Sequence, residues 1–260
     1  MKRSFQDTPF DLSGRVALVT GGGRGLGRAM ATIFAQAGAD LLLSSRSQDQ
    51  LRAAAEELRS QSGVRVEYVV ADMLRRADVS RLGDEAERRL GRVDILVNNA
   101  GHNRPQAIDA IRDSDWDELL ELNLTSCMAL TRRLAPGMKQ RRWGRVIHIS
   151  SIMGLGSTAA RNAYSATKSA LIGMARASAL DLGPYGITVN CIAPGPFATE
   201  MPMSILSPAQ QQALSDRTAV GRWGQPDELA GAALLLASDA GSYITGTVLV
   251  VDGGVLARIF

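Results

Sequence analysis

Short β-branched or leucine-rich runs recur along the chain at RVALVT (15–20), DLLLSS (40–45), VRVEYVV (64–70), VDILVN (93–98), RVIHIS (145–150), ITVNCI (187–192) and TVLVVD (247–252). Between them, apolar positions fall at helical spacing over 26–37, 48–60, 75–90, 115–140, 162–182 and 226–237. This strand-helix alternation predicts an α/β fold with a parallel sheet of seven strands covered by helices on both faces. A closed (β/α) barrel needs one more strand-helix unit. The first strand also runs into a glycine cluster, which favours a Rossmann-type doubly wound sheet with its crevice beyond the strand ends. No fixed-period repeat and no Pro-, Gly- or Ser-rich linker divides the 260 residues. One domain is expected, with residues 1–11 as a flexible N-terminal extension.

The glycine cluster is TGGGRGLG, Thr20 to Gly27, directly before the helical stretch RAMATIFAQAG. Glycine there lets the backbone approach a pyrophosphate, and the helix start that follows aims free N–H groups at it. The spacing of Gly21, Gly25 and Gly27 departs from G-x-G-x-x-G, and a tight turn with no ligand also wants glycine. Position therefore carries the argument for a dinucleotide site: first strand, first helix, most of an α/β chain following. At the end of the second strand stand Ser44, Ser45, Arg46 and Ser47, with no carboxylate until Asp49. An acidic residue at that place holds the ribose of NAD, whereas a cation suits the 2′-phosphate of NADP. Arg46, joined by Arg24 from the glycine turn, predicts NADP over NAD. The alternative is an arginine that merely ends a strand in water.

Composition removes several classes. Hydrophobic residues make up 45% of the chain, and the net charge of +3 comes from arginines spread in pairs such as Arg75-Arg76, Arg88-Arg89 and Arg141-Arg142. Scattered pairs suit solvated helix faces and not a nucleic-acid footprint. No run of about 18 apolar residues occurs, and nothing apolar follows the cations of MKRSFQDTPF; a cytoplasmic protein without a membrane partner is expected. Cys127 and Cys191 have no metal-ligand spacing around them and are expected to be small core residues. His102 and His148 are the only histidines, which leaves little material for a metal site or a histidine triad. His148, inside RVIHIS, is expected to be a satisfied strand histidine.

Four features stand in one order: TGGGRGLG at 20–27, NNAG at 98–101, Ser151 thirteen residues before Tyr164, and Lys168 four after it in NAYSATKSAL. Taken alone, Tyr164 and Lys168 share one helix face and need be no more than its decoration. Together the four motifs resemble the short-chain dehydrogenase/reductase family over nearly the whole chain, from about Leu12 to Val255. The resemblance implies that Tyr164 exchanges a proton with the substrate oxygen while hydride moves between carbon and nicotinamide. A phenol working near neutrality needs a cation beside it, and Lys168 is that cation, holding the nicotinamide ribose as well. Ser151, chosen over Ser150 by the thirteen-residue spacing, polarises the substrate oxygen, and Asn123 completes the tetrad by holding a relay water. Implied cofactor contacts are Gly21, Gly23, Arg24, Gly25, Leu26 and Gly27 in the turn, Ser45 and Arg46, and Asp72 facing adenine with Met73. They continue with Asn98, Asn99, Ala100 and Gly101, and end at the nicotinamide with Pro194, Gly195, Phe197, Thr199, Tyr164 and Lys168.

Substrate is expected against loops 101–113, 152–162 and 196–218, with His102, Arg104, Met153, Arg161 and Met201 as contacts. The mixture suits a carbonyl or secondary alcohol with an apolar side and an anionic group, since methionine fills irregular pockets and arginine pairs with carboxylates; the other reading turns both arginines into solvent. PGPFATEM and GRWGQPDELAGAALLLASD are similar to gluconate 5-dehydrogenase-like members, which implies a sugar acid or similar small oxo compound. The layout also resembles 3-oxoacyl-carrier-protein reductases, whose acidic partner docks on basic residues. Arg141 and Arg142 fit such docking, but Tyr185 stands where that subgroup has a basic residue before G-I-T, which disfavours an acyl carrier protein. A non-catalytic NADP-binding sensor or scaffold is the alternative of another class, and it has no need for Ser151, Tyr164 and Lys168 together. The resemblance further implies a homotetramer packed through the 115–140 and 162–182 helices.

Overall fold

The computed structural model describes residues 5–258, with the backbone alone for Met201, Pro202 and Ile205. All seven expected strands form: β1 (Val16–Thr20), β2 (Asp40–Ser45), β3 (Val66–Val70), β4 (Ile95–Asn98), β5 (Gly144–Ile149), β6 (Ile187–Pro194) and β7 (Val248–Val251). They make one sheet in the order β3-β2-β1-β4-β5-β6-β7, every pair parallel. The order reverses between β1 and β4, so the crevice of the doubly wound sheet opens beyond Thr20 and Asn98.

Alternation within the apolar runs sorts their side chains to two cores. Ala17, Val19, Leu41, Leu43, Ile95, Val97, Ile147 and Ile149 face one side, where α1 (Gly25–Gln36), α2 (Gln48–Ser62) and α9 (Pro226–Ala237) cover them. Leu18, Leu42, Leu96, Val146, Val189 and Cys191 face the other, under α3 (Arg76–Leu90), α5 (Ser126–Arg141) and α6 (Asn162–Leu182). Cys127 and Cys191 are free and buried, as their isolation in the sequence predicts.

Three expectations need correction. The segment expected to extend freely is docked from Phe5 onward: Phe5 and Phe10 pack on the core and the Pro9 carbonyl accepts from Ala240 N at 2.9 Å. Residues 1–4 lie outside the described residues. The helix expected over 115–140 is two helices, α4 (Asp113–Leu120) and α5, joined by a π-turn at Glu121–Thr125; such a bulge re-aims one turn of side chains, here that of Asn123. Within the expected loop 196–218 lie two short helices, α7 (Glu200–Ile205) and α8 (Pro208–Ser215). Among the described residues no helix is long and apolar enough to cross a membrane.

Candidate active site

Two cavities meet at the carboxyl ends of the strands. The first, about 550 Å³, runs along the glycine turn, the ends of β2 and β3, and Asn99–Gly101. The second, about 560 Å³, lies over Ser151, Tyr164 and Lys168. Leu26, Asn99, Gly101, His102 and Thr199 line both, so the two are one continuous cleft.

The first cavity is built for a close-lying ligand. Gly21 holds φ +66°, and a Cβ there would sit 2.6 Å from the Asn99 amide; at Gly27 a Cβ would collide with the Gly21 carbonyl. Asn99 in turn fixes the floor, its amide donating to Thr20 O at 2.9 Å and its backbone N–H to the Thr20 hydroxyl at 3.0 Å. Helix α1 begins without a side-chain cap and with no acid in its first turn, so its leading N–H groups are left for an anion. Ser44 Oγ, buried at the edge of this cavity, has no partner among the described residues. The cradle, the uncapped helix start and the orphaned hydroxyl all fit a dinucleotide. Arg46 stands exposed at the rim without an ion pair among the described residues. Arg24, expected to meet phosphate as well, bonds Glu200 across the cleft at 2.9 Å. All the expected cofactor residues line one cavity or the other except Asn98, which belongs to neither. Alternation on β4 turns it into the core, where its amide donates to His148 Nδ1 at 3.0 Å and to Thr131 Oγ1 at 3.2 Å.

In the second cavity, α6 presents Tyr164 half-buried and Lys168 buried one turn on. The Lys168 ammonium donates to the Ile149 carbonyl at 2.7 Å and lies 5.5 Å from the centre of the Tyr164 ring. The two serines divide their work. Ser150 donates to the Lys168 carbonyl at 2.8 Å and ties β5 to α6, whereas Ser151 Oγ accepts from Met153 N at 3.1 Å and keeps its proton free for the cavity. Gly154 makes this approach feasible, because a Cβ there would lie 2.9 Å from the Lys168 backbone. Asn123 lines neither cavity. Its side chain clamps the loop after NNAG, accepting from His102 N and donating to His102 O, both at 2.9 Å, and to Thr167 Oγ1 at 3.2 Å.

Of the expected substrate contacts, His102, Met153 and Arg161 line the second cavity. Arg104 does not: Asp115 and Glu118 on α4 take its guanidinium. The Arg112 guanidinium, helped by Gln106 and Arg104, holds the Asp115 carboxyl at about 2, so that anchor stays charged. The side chain of Met201 lies outside the described residues. Burial, then the neighbouring Arg104 cation, lowers the pKa of His102. The sequence reading did not name Leu206, Leu214, Arg217 and Trp223, which α8 and the loops on either side of it bring to the cavity. A signal was present: Ser207, Pro208 and Gln210 form a capping box with proline at the first helical position. Among the described residues no cluster of ligating side chains suits a metal.

The family model described as enoyl-(acyl carrier protein) reductase matches residues 21–256. The 3-oxoacyl-(acyl-carrier-protein) reductase of Aquifex aeolicus is 37% identical over 243 residues, covering 94% of this chain and 98% of its own. A gluconate 5-dehydrogenase from Burkholderia cenocepacia, solved with NADP and tartrate, superposes with a TM-score of 0.91 at 37% identity, covering 96% of this chain and 98% of that one. A 7α-hydroxysteroid dehydrogenase solved with NADH and 7-oxo glycochenodeoxycholic acid superposes equally well, at 35% identity over 95% of this chain and 96% of its own. With its motifs, its cleft and relatives that match it from end to end, the chain belongs to the short-chain dehydrogenase/reductase family and is an NAD(P)-binding oxidoreductase acting on CH–OH or ketone groups.

Proposed function

We propose that this protein interconverts a ketone and a secondary alcohol of a small oxo acid of the sugar-acid type, with NADP(H) preferred over NAD(H). The observation that carries the proposal is the continuous cleft: a glycine-cradled dinucleotide cavity opens directly onto Tyr164, Ser151 and Lys168. A bound nicotinamide dinucleotide supplies or takes up the hydride. Tyr164 gives the proton to the carbonyl oxygen on reduction and removes it from the hydroxyl on oxidation. Ser151, with its hydroxyl proton free, donates to the same oxygen as charge grows there. Lys168, fixed by the Ile149 carbonyl, places a cation 5.5 Å from the centre of the phenol ring. Asn123 acts by position: clamping His102 on both sides keeps Gly101 and the cavity junction in place. Arg46 is the residue read as meeting the 2′-phosphate. Exposed Met128 on α5 and Leu180 on α6 support the homotetramer read from the family, and a cytoplasmic setting goes with this reading.

A second reading has its own support. The walls of the second cavity formed by Ile152, Phe197, Leu206, Leu214 and Trp223 are apolar, which suits the acyl chain of a 3-oxoacyl thioester. Against it, Tyr185, whose ring is covered by the Lys139 ammonium at 4.6 Å, stands where the carrier-protein reductases have a basic residue before G-I-T. The test is NADPH oxidation with 5-keto-gluconate and a short 3-oxoacyl thioester in parallel. Turnover of the keto acid alone is expected; turnover of the thioester alone favours the second reading. NADPH binding with no turnover of any ketone makes the protein a cofactor sensor or scaffold.

A further inference from the structure

We infer that Arg161 and Arg217 form a carboxylate clamp in the second cavity, which favours ketones that carry a carboxylate. The inference rests on the ketone-reductase reading of the same site. Three arginines near this cleft are engaged: Arg24 by Glu200, Arg104 by Asp115 and Glu118, Arg222 by Glu228. Arg161 and Arg217 both line the second cavity, and neither side chain has a hydrogen bond or ion pair among the described residues. Among the described residues no carboxylate lines that cavity, while Lys168 adds a third cation. A cleft with apolar walls and charge of one sign strengthens the field on an anion. A guanidinium fork fits a carboxylate with two parallel bonds.

Arg161 is the N-cap residue of α6, three positions before Tyr164, and both line the second cavity, so the arginine enters the cavity from the same helix start as the proton donor. Arg217, exposed at the cavity's rim, is carried on an anchored loop: the buried Thr218 hydroxyl donates to Ser215 O at 2.8 Å and accepts from Arg222 N at 3.0 Å. Trp223 beside it is locked by its indole N–H to Gln211 O at 2.9 Å.

The test compares 4-oxopentanoate with its methyl ester, which presents the same ketone without the charge, binding to the complex of the protein with NADP⁺ by calorimetry. The acid is expected to bind at least about tenfold tighter than the ester, with the ratio falling at high salt. In Arg161→Gln and Arg217→Gln the acid-to-ester ratio should fall, and in the double variant it should approach one. Arg161→Lys and Arg217→Lys should restore part of it. NADP⁺ affinity reports that each variant is folded. Equal affinity for acid and ester in the parent, or a ratio that survives the double variant, overturns the clamp. Failure of the ketone-reductase reading shows separately, as NADPH oxidation that is absent or indifferent to Tyr164→Phe.

Discussion

His148 sits beneath this site in a setting that fixes both its tautomer and its charge. It pairs in register with Asn98 on β4 and Cys191 on β5's other neighbour, β6, and is fully buried. The Asn98 amide nitrogen lies 3.0 Å from Nδ1 and cannot accept, so Nδ1 is unprotonated and the proton is on Nε2, which has no partner among the described residues. The network continues from Asn98 to Thr131 and from the Thr131 hydroxyl to Cys127 O at 2.7 Å. A second proton would set donor against donor in a dry site. Burial, then the Lys168 charge, lowers the pKa from 6.5 to about 4. Because the folded value lies below the unfolded one, the unfolded chain binds the extra proton between about pH 4 and 6.5. The neutral ring's contribution is fully present above that window, declines as pH falls through it and is gone below it. At about 1.4 kcal/mol per tenfold change in proton affinity, the loss is about 3 kcal/mol. Carboxylates held low, such as Asp115 at about 2, lose their contribution further down, so the two windows separate. With only two histidines in the chain, imidazole NMR titration reads the effect directly. His148 should stay neutral to about pH 5, its midpoint should rise in Lys168→Met, and His148→Gln should flatten the stability profile between pH 6.5 and 4. A His148 midpoint at or above pH 6 refutes the reasoning.

Other outcomes follow from single contacts. Glu200→Gln frees Arg24 and removes a negative charge from the dinucleotide cavity. From the worth of an exposed ion pair, NADPH affinity should rise by up to about fivefold and NADH affinity less; unchanged or weaker NADPH binding in a fluorescence titration contradicts this. Arg46→Asp should invert the preference toward NAD, and survival of NADP preference places the phosphate nearer Arg24. Burial pushes the Cys191 thiol up to about 12 and the Cys127 thiol in the same direction. Iodoacetamide at pH 8 should therefore leave both intact in the folded protein and modify both in denaturant, as mass spectrometry can count.

The fold was legible because the central strands are apolar enough to be covered on both faces and even the less buried edge strands β3 and β7 are rich in valine, so each announced itself as a run. The candidate constellation of Ser151, Tyr164 and Lys168, which the structure brings to one cavity, was visible in the sequence because each of its motifs is local. What stayed hidden depended on tertiary partners or on small departures from period. The apolar pattern passes through Glu121–Thr125 without a break, so nothing marked the π-turn that aims Asn123 at His102. Asn98 and Asn99 look alike in NNAG, yet alternation sends one to His148 and the other under the glycine turn. Arg104 and Arg161 were equivalent candidates until α4 supplied two acids to the first and none to the second. Helix α8 is short and polar, and only its capping box distinguished it from loop.

The central claim is that Tyr164 moves the proton in a reaction otherwise organised by the cleft. Its most direct test is single-turnover NADPH oxidation by the parent and by Tyr164→Phe, on the ketone the parent reduces fastest, with NADPH affinity measured for both. The rate should fall by at least about a hundredfold while NADPH affinity changes by no more than a few fold. A variant that reduces the ketone at the parent's rate would contradict the account.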